Sequence, residues 1–106
     1  MISEWARQIF SARGVPVRIR EIIEKECASR RILIEDVLNE KKFKELIACR
    51  LVIYRILRSE MRENGEHKFS YRQIGKWFGR DRTTVRNAVT DRATRRRENR
   101  YIHYQR

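Results

Sequence analysis

Between Asp81 and Asn87 the chain reads DRTTVRN, a run in which every side chain except Val85 can make a hydrogen bond. Arg82 offers two parallel donors of the kind that match O6 and N7 of guanine. Asn87 offers the donor and acceptor pair that suits adenine, and Asp81 can accept from N4 of cytosine. The methyl groups of Thr83 and Thr84 suit the methyl of thymine, and Arg86 adds a further fork of donors. The chemistry these types imply is the reading of base edges. Bond-making chemistry is not expected, because no nucleophile and base pair, carboxylate cluster or phosphate-cradling loop accompanies them. Cys27 and Cys49 have neither C-x-x-C spacing nor a nearby His, and read as buried free thiols. His67 and His103 are isolated. No metal and no cofactor is therefore expected, and no small-molecule substrate.

Reading base edges requires a rigid helix that presents those side chains, and the flanking residues predict one. Ser70 followed by Gln73 is a capping-box start for a first helix, whose buried face would be Ile74, Trp77 and Phe78. Gly75 is the small residue where two helices can cross. Gly79 can turn the backbone without a Cβ penalty, and Asp81 is a good N-cap for a second helix that sends Val85, Ala88 and Val89 inward. Two short helices about a glycine turn make a helix-turn-helix.

The run IGKWFGRDRTTVRNAV resembles the DNA-binding C-terminal domain of the bacterial chromosomal replication initiator DnaA, whose pattern is roughly I-G-x-x-F-G-G-R-D-H-T-T-V-x-x-A. The resemblance reaches upstream and covers about residues 17 to 93. It implies a Trp-repressor-like helix-turn-helix fold and binding of double-stranded DNA. The family's nucleotide-binding portion has no counterpart, since no G-x-x-x-x-G-K-[ST] motif occurs. A single Gly79 replaces the family's double glycine, Arg82 stands where His is usual, and Ala48, Cys49 and Arg50 stand where Arg-Pro-Arg is usual. The same fold with a different preferred DNA sequence is what those departures imply.

The remaining elements would hold the motif. Residues 1–14 read as an N-terminal amphipathic helix with Ile2, Trp5, Ile9 and Phe10 on one face. It either caps the core or offers Trp5, Ile9 and Phe10 to a second copy or a protein partner. Residues 15–97 read as the DNA-binding domain and 98–106 as a basic tail. Within the domain, Ile19, Ile22, Ile23 and Cys27 mark one helix, and Ile34, Val37 and Leu38 a short piece. A long central helix from about Glu45 to Glu63 follows, with Leu46, Cys49, Ile53, Ile56, Leu57 and Met61 inward and a C-cap signal at Asn64 and Gly65. Arg55 and Arg58 project from it as further phosphate contacts. The loop before it holds Lys41, Lys42 and Lys44, with Phe43 as a packing anchor. Lys41, Lys42, Lys44 and Arg50 are expected at the DNA backbone or minor groove, together with Ser70, Tyr71, Arg72 and Arg80. Past the motif, Arg92, Arg95, Arg96, Arg97, Arg100 and Arg106 stand against Asp91 and Glu98; the second helix is expected to run into the mid-nineties, and the tail TRRRENRYIHYQR either tracks phosphates, with Tyr101 and Tyr104 as stacking groups, or is a frayed, solvated terminus.

Composition agrees with this picture. The chain of 106 residues is 41% apolar and carries 26 Lys and Arg against 14 Asp and Glu, a net charge of +12. That suits a single small globular domain with a polyanion as partner, and the helical spacings make it all-α with five to six helices. No apolar run approaches the ~20 residues of a spanning helix, so no membrane partner is expected. With no signal-peptide pattern at the start, the cytoplasm and its nucleoid are the expected location. A regulator of replication initiation or of transcription is the leading expectation. A sequence-indifferent nucleic-acid or nucleoid binder, and a partner-binding modulator of the initiator, are the rivals.

Overall fold

The caps and glycines of this chain fix where its helices begin and stop. In the structure, a computed structural model that describes residues 2–90, six helices follow one another: α1 (Glu4–Ala12), α2 (Val17–Ser29), α3 (Ile34–Leu38), α4 (Lys44–Ser59), α5 (Tyr71–Phe78) and α6 (Arg82–Thr90). Ser3 caps α1, its Oγ accepting from the Ala6 N–H at 3.1 Å. At the other end Gly14 takes a left-handed φ of 65°. The Val15 N–H can then return to the Phe10 carbonyl at 2.9 Å, closing the helix end. Pro16 opens α2, as its fixed φ allows. The fold is all-α. The arginines and tyrosines expected along the tail, Arg92 to Arg106, and the run of the last helix into the mid-nineties lie outside the described residues.

One hydrophobic core joins every helix. Ala6 and Phe10 of α1, Ile19, Ile23 and Cys27 of α2, Val37 and Leu38 of α3, and Cys49, Ile53 and Leu57 of α4 meet Ile74, Trp77 and Phe78 of α5 and Val85 of α6. Each large apolar side chain so buried contributes about 1.5–3 kcal/mol. Two edge-on aromatic pairs orient α5 against its surroundings: Tyr54 with Phe78 at 5.0 Å and Phe69 with Trp77 at 5.3 Å between ring centroids. Cys27 and Cys49 are buried and unbridged, as their spacing predicted. Contact with Cys49 and then burial push the Cys27 thiol up.

The sequence expectations for the end of α4 are corrected. Helix α4 stops at Ser59 because Glu60 is extended, with φ −76° and ψ 126°. Asn64 and Gly65 instead turn a small hairpin in which Met61 bridges His67 and Lys68 N–H reaches the Glu60 carbonyl at 2.9 Å. Met61, past the end of α4 and 53% exposed, lies off the core, and so does Ile56 within the helix, at 36%. His67 has a structural job, donating from Nδ1 to the last-turn carbonyl of Arg58 at 2.7 Å. Arg58 spreads over the Tyr71 ring at 3.9 Å and donates to the Phe69 carbonyl at 2.9 Å. It ties the hairpin to α5.

Candidate nucleic-acid interface

The helix pair α5–α6 forms as its residues dictate. Ser70 Oγ accepts from the Gln73 N–H at 3.0 Å. Gly79 adopts φ 66° at the end of α5, and its N–H returns to the Lys76 carbonyl at 3.3 Å. Asp81 Oδ1 then accepts from the Thr84 N–H at 2.8 Å and starts α6. Gly75 is required for the crossing: a Cβ there would stand 2.5 Å from the Arg80 carbonyl oxygen. Val85 is fully buried, while Arg82, Thr83, Thr84, Arg86 and Asn87 are all exposed. Asp81 is exposed too, but hydrogen bonds from the Thr84 N–H, the Thr84 hydroxyl and the Thr83 N–H hold its carboxyl below the usual range. Its carboxylate is engaged by the helix start. Exposed forks, hydroxyls and an amide on one short rigid helix form a surface able to hydrogen-bond a polar partner at several points.

A second part of the surface is built by three arginines that sequence spacing did not connect. Arg50 is 4% exposed. Its Nε donates to the Val37 carbonyl at 2.9 Å, Nη1 to Lys41 at 2.6 Å, and Nη2 to Asp36 at 2.9 Å and Asn39 at 2.8 Å. Its expected place at the DNA backbone is therefore corrected: all three nitrogens are spent inside the protein. Arg80 is half-buried and donates to the same Asn39 carbonyl at 3.1 Å. Arg13, at the end of α1, donates to Leu38 at 3.1 Å and to Trp77 at 3.3 Å. These ties lock the corner between α3 and α4 to the turn of the helix pair. Burial first, and the charge of Arg80 second, push Arg13 and Arg50 down from the ordinary arginine range.

Nothing in the local sequence around Arg13 marks it for this role. Gly79 has two duties. Besides its left-handed backbone, a Cβ at Gly79 would come within 2.7 Å of an Arg13 nitrogen.

The corner presents the basic loop beside α6. A groove lined by Lys42, Ile47, Leu51, Tyr54, Arg80 and Thr84 runs between α4 and α6, so Lys42 and Thr84 share one depression. Lys42 and Lys44 are exposed. Lys41 is exposed but pairs with Asp36 at 3.0 Å. Ser70, Tyr71 and Arg72 sit at the far end of α5, whose 8 residues span about 12 Å. Arg72 is exposed, Ser70 holds the cap, and Tyr71 lies half-buried beneath Arg58.

The N-terminal surface is smaller than its sequence suggested. Phe10 is fully buried in the common core, which corrects its expected place on a partner surface, and Ile9 is half-buried. Trp5 alone of the three stays well exposed, at 43%. Among the described residues no helix is long and apolar enough to cross a membrane. No protein-family model, curated protein or solved structure matches the chain.

Proposed function

We propose that this protein binds double-stranded DNA sequence-specifically, with α6 in the major groove, and regulates replication initiation or transcription. The observation that carries the reading is α6 itself: Arg82, Thr83, Thr84, Arg86 and Asn87 stand exposed on a helix whose Val85 is buried and whose start is fixed by Asp81. A helix set this firmly on its neighbour suits base readout, since side-chain forks discriminate bases only when their backbone is held in register. Arg82 is the guanine-reading candidate and Asn87 the adenine-reading one. Asp81 serves by positioning Thr83 and Thr84.

Affinity comes from charge. Lys42, Lys44 and Arg72 are exposed lines to phosphate, with Lys41 joining where it leaves Asp36. About four such contacts give a log–log salt slope of roughly −4. Phosphate contacts position the protein, and the α6 contacts specify the site. The resemblance of IGKWFGRDRTTVRNAV to the DNA-binding domain of the replication initiator supports the same mode, and the exchange of its His for Arg82 implies a different preferred base at that point.

Selection of bound duplexes from a random pool tests this. The wild-type chain should enrich a defined motif, and Arg82→His should change one position of it. An identical consensus from both proteins would sink the assignment of Arg82. Tight, salt-sensitive binding with no motif at all would leave a sequence-indifferent nucleic-acid binder.

A further inference from the structure

Guanidinium groups, not packing, hold the corner between α3 and α4: Phe43, expected to anchor it, is 65% exposed and stands outside the core. The last carbonyls of a helix have no partner within it, and at the end of α3 arginines take them. Arg50 takes those of Asp36 and Val37, and Arg13 takes that of Leu38 at 3.1 Å. Arg13 differs from Arg50 in its second bond, to the carbonyl of Trp77 in the last turn of α5 at 3.3 Å. One side chain at the end of α1 thus bridges the C-terminal ends of two other helices, where free carbonyls favour a cation.

That bridge lies against the turn that aims α6. Trp77 precedes Gly79 and Arg80 follows it, so the turn is held to residues 38 and 39 at two points: Trp77 to Leu38 through Arg13, and Arg80 to Asn39 directly. Two points fix a rotation that one leaves free. Gly79 gives the guanidinium its room, since a Cβ there would stand 2.7 Å from Nη2 of Arg13. Arg13 is itself well anchored: Ala6 and Phe10 of α1 are fully buried, and its own N–H returns to the Ile9 carbonyl at 2.9 Å. By contrast α6 enters the core through Val85, with Ala88 and Val89 only partly buried, so much of its orientation depends on the turn. Asn87 lies about 10 Å beyond that turn, and a swing of about 10° would displace it by about 2 Å. Hydrogen bonds to a base edge occupy a window of about 0.5 Å. Long exposed lysines on phosphate are far less exacting.

We infer that Arg13 is a positioning residue for base reading: its bridge from Leu38 to Trp77 fixes the angle of α6 and so the register of Arg82, Thr83, Thr84 and Asn87 on their bases. The inference rests on the DNA-binding reading above and places a control of its specificity in α1, outside the residues that resemble the initiator's domain.

The test uses the full chain and two duplexes, one carrying the selected motif and one scrambled, with affinities read by fluorescence anisotropy over a salt series. Each protein is measured at a temperature where circular dichroism shows it fully folded. Arg13→Ala should bind the motif about tenfold more weakly and the scrambled duplex as before, with an unchanged salt slope. Its selected motif should be weakened at every position that α6 reads, whereas Arg82→Ala changes one. Arg13→Lys, which keeps the charge and can restore one of the two bonds, should recover part of the lost discrimination. If the alanine variant does not fold, Arg13→Met, which keeps the stem and loses only the donors, carries the same expectation. A merely stabilising role would lower the melting temperature and leave the ratio of the two affinities at its wild-type value. That ratio in a folded Arg13→Ala or Arg13→Met overturns the inference. So does an equal loss on both duplexes with a salt slope shallower by about 1, for Arg13 would then be a phosphate contact. A wild-type chain that selects no motif fails the functional reading itself, and the role of Arg13 with it.

Discussion

Arginines at the corner between α3 and α4 and arginines on α6 are put to opposite uses. Arg50 is pulled under the corner and surrounded by four carbonyl oxygens, whereas Arg82 and Arg86 stand out from a helix whose buried side chain is Val85. The difference comes from what lies nearby. After the short α3 (Ile34–Leu38) the chain leaves several backbone carbonyls without helical partners, and a planar guanidinium with donors on three nitrogens can satisfy them together. Helix α6 begins at a side-chain cap and needs no such help, and Arg82 and Arg86 stay exposed. Part of the net charge of +12 is therefore spent on the fold, in the carbonyl contacts of Arg50.

Removing Arg50 is the most severe way to break the contrast. Arg50→Ala strands four buried or half-buried carbonyls, and unfolding in urea should show a loss of about 3–5 kcal/mol. Arg50→Lys should recover only part, because one ammonium cannot reach all four oxygens. Gly75→Ala attacks the other region. Its new Cβ, 2.5 Å from the Arg80 carbonyl, meets backbone that must move, and a loss of about 2–3 kcal/mol is expected. Duplex affinity should fall further than stability alone explains, as the α5–α6 angle changes. Arg82→Ala should do the reverse of Arg50→Ala. It should cost about 1–3 kcal/mol of discrimination at one base of the selected motif while shifting stability by less than about 0.5 kcal/mol. If Arg50→Ala weakens binding with stability intact, or Arg82→Ala unfolds the protein, the division of labour is wrong.

These two regions also differ in how far the sequence discloses them. In α5–α6 the signals act over about three residues: Ser70 on Gln73, Gly79 at a left-handed turn, Asp81 on Thr84. Such signals are readable because the partners are neighbours in the chain. At the corner the partners are distant. Arg13 meets Trp77 and Leu38, and Arg80 meets Asn39, pairings that no local pattern encodes. Charged residues there looked like candidates for phosphate because their carbonyl partners are invisible in a one-dimensional reading. The end of α4 is hidden from the sequence for a related reason. Asn64 and Gly65 signal a left-handed backbone equally well for a helix end and a hairpin turn, and only the pairing of Met61 with His67 decides between them. Phe10 and Trp5 share one amphipathic face, yet the core reaches only the first.

Smaller effects separate the two helix starts within the motif. Ser70→Ala removes the acceptor for the Gln73 N–H and should cost about 1 kcal/mol at any pH. The Asp81 cap does the same for α6 with a charged group, and so carries a pH signature that Ser70 lacks. Its carboxyl is held below the ordinary value by the Thr84 N–H, the Thr84 hydroxyl and the Thr83 N–H. A depressed native pKa means that the unfolded chain takes up the proton first as pH falls. The cap's contribution is thus complete above the unfolded aspartate value of about 4, declines below it, and is gone once pH has dropped through the lower native value. Thermal unfolding of wild type and Asp81→Asn at pH 7 and at pH 3 isolates this. The gap between the two proteins should narrow on acidification, whereas the gap between wild type and Ser70→Ala should stay constant. Because Asp81 positions Thr83 and Thr84, duplex affinity should follow the same acid limb. A cap gap that widens toward low pH would mean that the protonated carboxyl is the better partner for the start of α6, and the assignment of Asp81 as a charged anchor would be lost.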